Sequence, residues 1–145
     1  MKNKKIISKS QKETKDLAKK IAKNLKEKRV FSLEGELGGG KTTFTQGFAK
    51  ALGIKVKIKS PTFVIMRKYK LPQKRYGFEN LYHLDCYRLK SSKELLDLSW
   101  QEIIKDKKNI FLIEWGDKIK TILPKGTICV KFKIEKENIR EIKLL

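Results

Sequence analysis

The chain has 145 residues, 39% of them hydrophobic, and carries 36 lysines and arginines against 16 aspartates and glutamates, for a formal net charge of +20. Such a length suits one compact domain over residues 1–145 and leaves little room for a second. The apolar residues fall in short clusters rather than a membrane-length run, the basic start has no apolar segment of a signal peptide, and Cys86 and Cys129 stand far apart outside any C-x-x-C pair. A cytoplasmic protein with buried free thiols and no membrane partner is the expectation.

In chain order, Ser10-Gln11-Lys12-Glu13 has the form of a capping box. Leu17, Ala18, Ile21, Ala22 and Leu25 then recur at helical spacing, predicting an amphipathic helix from about Gln11 to Glu27. Val30-Phe31-Ser32-Leu33 reads as a strand, and Phe44 to Leu52 as a helix ending before Gly53, a natural C′ residue. Between them lies Gly35-Glu36-Leu37-Gly38-Gly39-Gly40-Lys41-Thr42, a complete G-x-x-x-x-G-K-[ST] phosphate-binding loop. The order is what the chemistry requires. Glycines reach φ > 0, so successive N–H groups can curl into an anion-binding nest, and the following helix adds its dipole and unpaired donors. In this motif Lys41 reaches the β/γ-phosphates and the Thr42 hydroxyl holds Mg²⁺.

Further along, Ser60-Pro61 breaks the chain, Thr62 to Tyr69 reads as a strand, Leu71 to Gly77 as a polar loop and Asn80 to Cys86 as another strand. Ser99-Trp100-Gln101-Glu102 is a second capping box opening a short helix over Ile103 and Ile104, with Leu95, Leu96 and Leu98 packing just before it. Ile110-Phe111-Leu112-Ile113 is a continuous apolar run, as in a strand buried on both faces, and Thr127 to Ile134 with Ile139 to Leu144 alternate as a terminal hairpin. These elements predict an α/β fold: a three-layer P-loop NTPase sandwich with a mixed, mainly parallel sheet and a C-terminal β-hairpin.

Ligands of such sheets lie beyond the carboxyl ends of the strands, so strand-end acids are the ones to examine. Glu114 directly follows the apolar run, in the place of a Walker B acid, although glutamate replaces the usual aspartate. Asp85 lies near the end of its strand, with His83 and Tyr87 on the same face by alternation. Either acid could instead serve only as a turn or cap residue. His83, the single histidine, reads as a supporting or packing residue, and Thr62 as either a γ-phosphate contact or a plain strand-start threonine. Lysine dominates the charge, with arginine only at positions 29, 67, 75, 88 and 140. The even spread is compatible with an RNA partner and equally with an AT-rich genome.

The phosphate loop continued through Thr43-Phe44, then Ser60-Pro61-Thr62-Phe63, His83-Leu84-Asp85-Cys86-Tyr87-Arg88-Leu89 and Ile113-Glu114-Trp115 together resemble the TsaE (YjeE) family, small bacterial P-loop ATPases of tRNA threonylcarbamoyladenosine biosynthesis. The resemblance spans nearly the whole chain. It implies ATP at Gly38, Gly39, Gly40, Lys41, Thr42 and Thr43, Mg²⁺ held by Thr42 and Glu114, Asp85 in the hydrolytic centre, and Trp115 flanking the nucleotide. It further makes Gln11 and Thr14 candidate contacts near the base, and Asp117, just after the I-E-W block, is a similar candidate. Its partner is the TsaB–TsaD complex, with direct or indirect tRNA contact. Two departures stand out: Gly39 where many members have alanine, and Ser99 where a glycine is common. A P-loop small-molecule kinase and a non-catalytic nucleotide-dependent binding module are the alternatives. A GTPase is disfavoured because no N-K-x-D guanine-reading motif occurs.

Overall fold

The computed structural model describes residues 3–36, 38, 40–55, 57–58 and 66–145. Leu37, Gly39, Ser60, Pro61, Thr62 and Phe63, which belong to the motifs above, lie outside the described residues, as does the first half of the strand predicted from Thr62. The strands are β1 (Lys4–Ser8), β2 (Val30–Gly35), β3 (Met66–Arg75), β4 (Phe78–Asp85), β5 (Asn109–Glu114), β6 (Ile128–Lys136) and β7 (Ile139–Leu144). They form one sheet in the order β1-β7-β6-β2-β5-β4-β3. Parallel ladders join β6, β2, β5 and β4 at the centre, and antiparallel pairs close both edges. The predicted C-terminal hairpin is β6–β7.

The helices α1 (Gln11–Lys23) and α2 (Lys41–Ala51) cover one face of the sheet. There Phe44 and Phe48 pack on Phe31 and Phe132, with Phe44–Phe132 and Phe31–Phe48 meeting edge-on at 5.7 and 5.4 Å between ring centroids. On the other face lie α3 (Lys93–Leu96), α4 (Trp100–Lys105) and the 3₁₀ segment η1 (Gly116–Ile122). Their Leu95, Trp100, Ile104 and Ile119 cover Val30, Tyr82, Leu84, Phe111 and Ile113. Two helical layers around a mixed sheet give the three-layer sandwich. The run Ile110–Ile113 is fully buried because β5 sits in mid-sheet and faces both layers.

Several local expectations are corrected. The first helix stops at Lys23, because Asn24 turns its side-chain amide back to the Lys20 carbonyl at 2.8 Å and ends the ladder. Residues 71–75 are strand rather than loop. Pro72 is tolerated because β3 is the sheet's outer edge, and Tyr76-Gly77, at φ 52° and 84°, form the two-residue turn into β4. The Ser99 capping box does not form: Ser99 is left-handed at φ 61° with no side-chain cap. Leu95 is buried there, but Leu96 and Leu98 stay exposed. The Ser10 cap does form, with Ser10 Oγ accepting from Glu13 N at 3.1 Å, while Glu13 reaches one residue past the cap to the Lys9 N–H. Cys86 is buried, its thiol pushed up to about 12 chiefly by desolvation, whereas Cys129 is only half-buried.

Gly47 lets α2 pack closely on α1, since a Cβ there would lie 2.7 Å from both the Cα and the carbonyl oxygen of Lys15. Gly47→Ala must push the helices apart and is expected to cost about 1–3 kcal/mol. Urea melts of wild type and variant measure the loss.

Candidate functional site

β2 ends at Gly35 and the chain turns through the glycine-rich loop into α2. Gly40 makes the entry possible: at φ 108° it is left-handed, a conformation that strains any residue with a Cβ. Gly40, having no side chain, cannot itself cap the first turn of α2, whose N–H groups are the kind of donors that bind anions at a helix start.

Lys41, only 5% exposed, folds over this loop. Its Nζ donates to the Gly35 and Glu36 carbonyls, both at 2.8 Å, and stands 4.3 Å from the centroid of the Trp115 ring. Burial lowers its pKa, opposed by the carboxylates of Glu114, Asp85, Asp117 and Glu36. Trp115 can cover the ammonium because its backbone is left-handed at φ 60° and its N–H is tied to the Leu33 carbonyl at 2.8 Å. On the outer side Trp115 meets Tyr87 at 5.1 Å.

Glu114 ends β5 and is nearly buried. One carboxylate oxygen, Oε1, accepts from Thr42 Oγ1 at 3.0 Å, while Oε2 lies 2.6 Å from His83 Nε2. Thus the hydroxyl and the acid that the sequence singled out for Mg²⁺ touch each other, although 72 residues separate them. One carboxylate and one hydroxyl suit Mg²⁺, which keeps several waters and takes phosphate oxygens rather than a full protein cage. Among the described residues no group of three or more His, Cys, Asp or Glu could hold a metal alone.

Above Lys41 and Thr42 opens a cleft of about 440 Å³. Gly38, Gly40 and Thr43 line it with them, together with Glu114 and Trp115 and with Gln11 and Thr14 of α1. Asp85 and Asp117 do not border it. Asp85 is paired with Glu114 across the β4–β5 ladder and its Oδ1 accepts the Tyr87 N–H at 3.0 Å. Asp117 lines a separate depression with Glu34, Gly35 and Lys131. Both still act on the Lys41 ammonium through space.

Three lining residues escaped the sequence reading: Ser10, Asn138 and Arg140. Arg140 Nε donates to the Gly38 carbonyl at 3.2 Å, and the same guanidinium holds the carbonyls of Lys136, Glu137 and Ile139. It thereby pins the β6–β7 turn to the phosphate loop and brings a second cation to the cleft. No local motif announces this, because only the sheet order sets β7 between β1 and β6, alongside the loop.

A family model described as "Threonylcarbamoyl adenosine biosynthesis protein TsaE" matches residues 8–142. A protein of Rickettsia typhi named "tRNA threonylcarbamoyladenosine biosynthesis protein TsaE" is 41% identical over 132 residues, 90% of this chain and 87% of its own. A protein of the same name from Bacillus subtilis is 40% identical over 130 residues, covering 90% and 77%. The crystal structure of Bacillus subtilis YdiB superposes with a TM-score of 0.70 at 33% identity, covering 99% of this chain and 84% of that one.

Proposed function

Because the chain belongs to the TsaE family of threonylcarbamoyl adenosine biosynthesis proteins, we propose that it is a Mg²⁺-dependent ATPase serving the TsaB–TsaD complex in tRNA threonylcarbamoyladenosine formation. The observation that carries this reading is the 3.0 Å contact of the Thr42 hydroxyl with the Glu114 carboxylate at the mouth of a phosphate loop. Nucleotide binding without this pair would need only the loop, whereas hydrolysis needs charge control at the reacting phosphate.

The loop N–H groups and the first turn of α2 take the phosphate oxygens. Lys41 leaves the Gly35 and Glu36 carbonyls to meet the β/γ-phosphates, and Gln11 and Thr14 border the base. Thr42 and Glu114 hold Mg²⁺, which when bound offsets charge developing on the phosphates. Asp85, one strand over from Glu114 and outside the cleft lining, serves the hydrolytic centre through its field on the Lys41 ammonium. Arg140 adds positive potential but is committed to four carbonyls, so it is no mobile finger. Among the described residues no helix is long and apolar enough to cross a membrane, and a cytoplasmic setting fits a tRNA-modifying partner.

Such a set of groups predicts slow hydrolysis alone and stimulation by a partner, since groups supplied in trans add about 10³–10⁵ in rate in other P-loop enzymes. The lysine-rich surface, with its +20 charge, predicts that association with an acidic or tRNA-loaded complex weakens as salt rises. Phosphate release with and without reconstituted TsaB–TsaD, and a pull-down at two salt concentrations, test both points. No binding and no change in rate under any nucleotide would remove the partner from the proposal.

A further inference from the structure

His83 is fully buried on β4, on the face of the sheet that carries the phosphate loop and α2. A histidine there is an expensive way to fill space. Its Nδ1 is buried with no hydrogen-bond partner among the described residues, and leaving a buried polar group unsatisfied forfeits its hydration. A leucine would fill the site without that penalty. What the imidazole gains is one contact, from Nε2 to Glu114 Oε2 at 2.6 Å. An ionised carboxylate only accepts, and against it the proton of that contact belongs to Nε2.

Glu114 is therefore gripped at both oxygens, by Thr42 on Oε1 and by His83 on Oε2. Two such contacts fix the plane and rotamer of the acid. One alone would let it swing about its last torsion, which is broad for a glutamate. The parallel register makes the grip possible: Asp85 pairs with Glu114 and His83 with Leu112, so the ring stands one same-face step behind the acid. We infer that His83 is a positioning residue that sets the Glu114 carboxylate for the nucleotide-bound divalent cation, an inference that rests on the Thr42–Glu114 reading above. It touches neither cation nor nucleotide, and acts through Glu114 alone. Partners behind a metal-binding side chain typically account for about 10–100-fold in metal affinity.

The test is equilibrium binding of a fluorescent ADP to the full chain at a series of Mg²⁺ concentrations. His83→Leu should bind ADP as wild type does without Mg²⁺, yet need about 10–100-fold more Mg²⁺ to reach half of the Mg²⁺-dependent tightening. His83→Gln, whose amide nitrogen reaches the position of Nε2, should restore the dependence to within a few-fold. If His83→Leu does not fold, His83→Asn replaces it, since its shorter amide falls away from Glu114 and should show the same shift. A folded His83→Leu or His83→Asn with wild-type Mg²⁺ dependence overturns the inference. If Glu114→Gln loses the Mg²⁺ dependence while the His83 variants keep it, only this inference fails. If wild type shows no Mg²⁺ dependence at all, the Thr42–Glu114 reading falls with it.

Discussion

Lys41→Ala is expected to reduce ATP hydrolysis by about 10²–10³-fold, the scale seen when one preorganised group facing developing charge is removed. Lys41 is the loop's only cationic side chain, and its residence over the Gly35 and Glu36 carbonyls places its ammonium within the cleft. The loss should appear in nucleotide affinity as well, because the ammonium meets the β/γ-phosphates in ground state and transition state alike. A modest fall in stability, about 1 kcal/mol per hydrogen bond lost, should accompany it, since two carbonyls lose their donor. Calorimetric titration, phosphate release and a melting curve separate the three effects. Wild-type hydrolysis in this variant would remove the phosphate loop from the chemistry.

The second large effect is expected at Glu114, and it should divide differently. Glu114→Gln keeps the shape of the side chain but removes the charge, so ADP affinity without Mg²⁺ should stay within a few-fold of wild type. Hydrolysis should fall by about 10²-fold or more, because the lost interaction matters most as charge develops on the phosphates. Glutamine is the informative choice. Glu114→Ala would also strand the Thr42 hydroxyl and the buried His83 ring, adding a folding cost to the catalytic one. Binding at zero and saturating Mg²⁺, set beside single-turnover phosphate release, gives the division. An unchanged release rate would make Glu114 a structural strand-end residue.

What could be read in advance depended on whether the information was local. The phosphate loop needs eight consecutive residues, and Glu114 needs only the apolar run before it, so both were legible. Their meeting at Thr42 required the additional premise that strand-end acids gather at one edge of a parallel sheet, which the β2–β5 ladder provides. Features set by long-range pairing were not legible. Arg140 reaches Gly38 only because the C-terminal hairpin lies between β1 and β2, and β1 itself, a short lysine-bearing edge strand, has almost no periodic signal. The His83–Glu114 contact depends on the register of β4 against β5. Misread segments failed for local reasons overridden by context: Pro72 suggested a loop but sits on an edge strand, and Ser99 offered a cap but took a left-handed backbone. Resemblance through the H-x-D-x-Y-R-L and I-E-W blocks placed the chain in its family with no need of any pairing.

Under the proposed function, Lys41, Thr42 and Glu114 together hold Mg²⁺ and a nucleoside triphosphate in one cleft. Calorimetric titration of ATP into the purified chain, with Mg²⁺ and with a chelator, tests it most directly. Saturable one-site binding that tightens when Mg²⁺ is present is expected, with loss of that tightening in Glu114→Gln. Binding of equal strength with and without Mg²⁺, or no saturable binding at all, would contradict it.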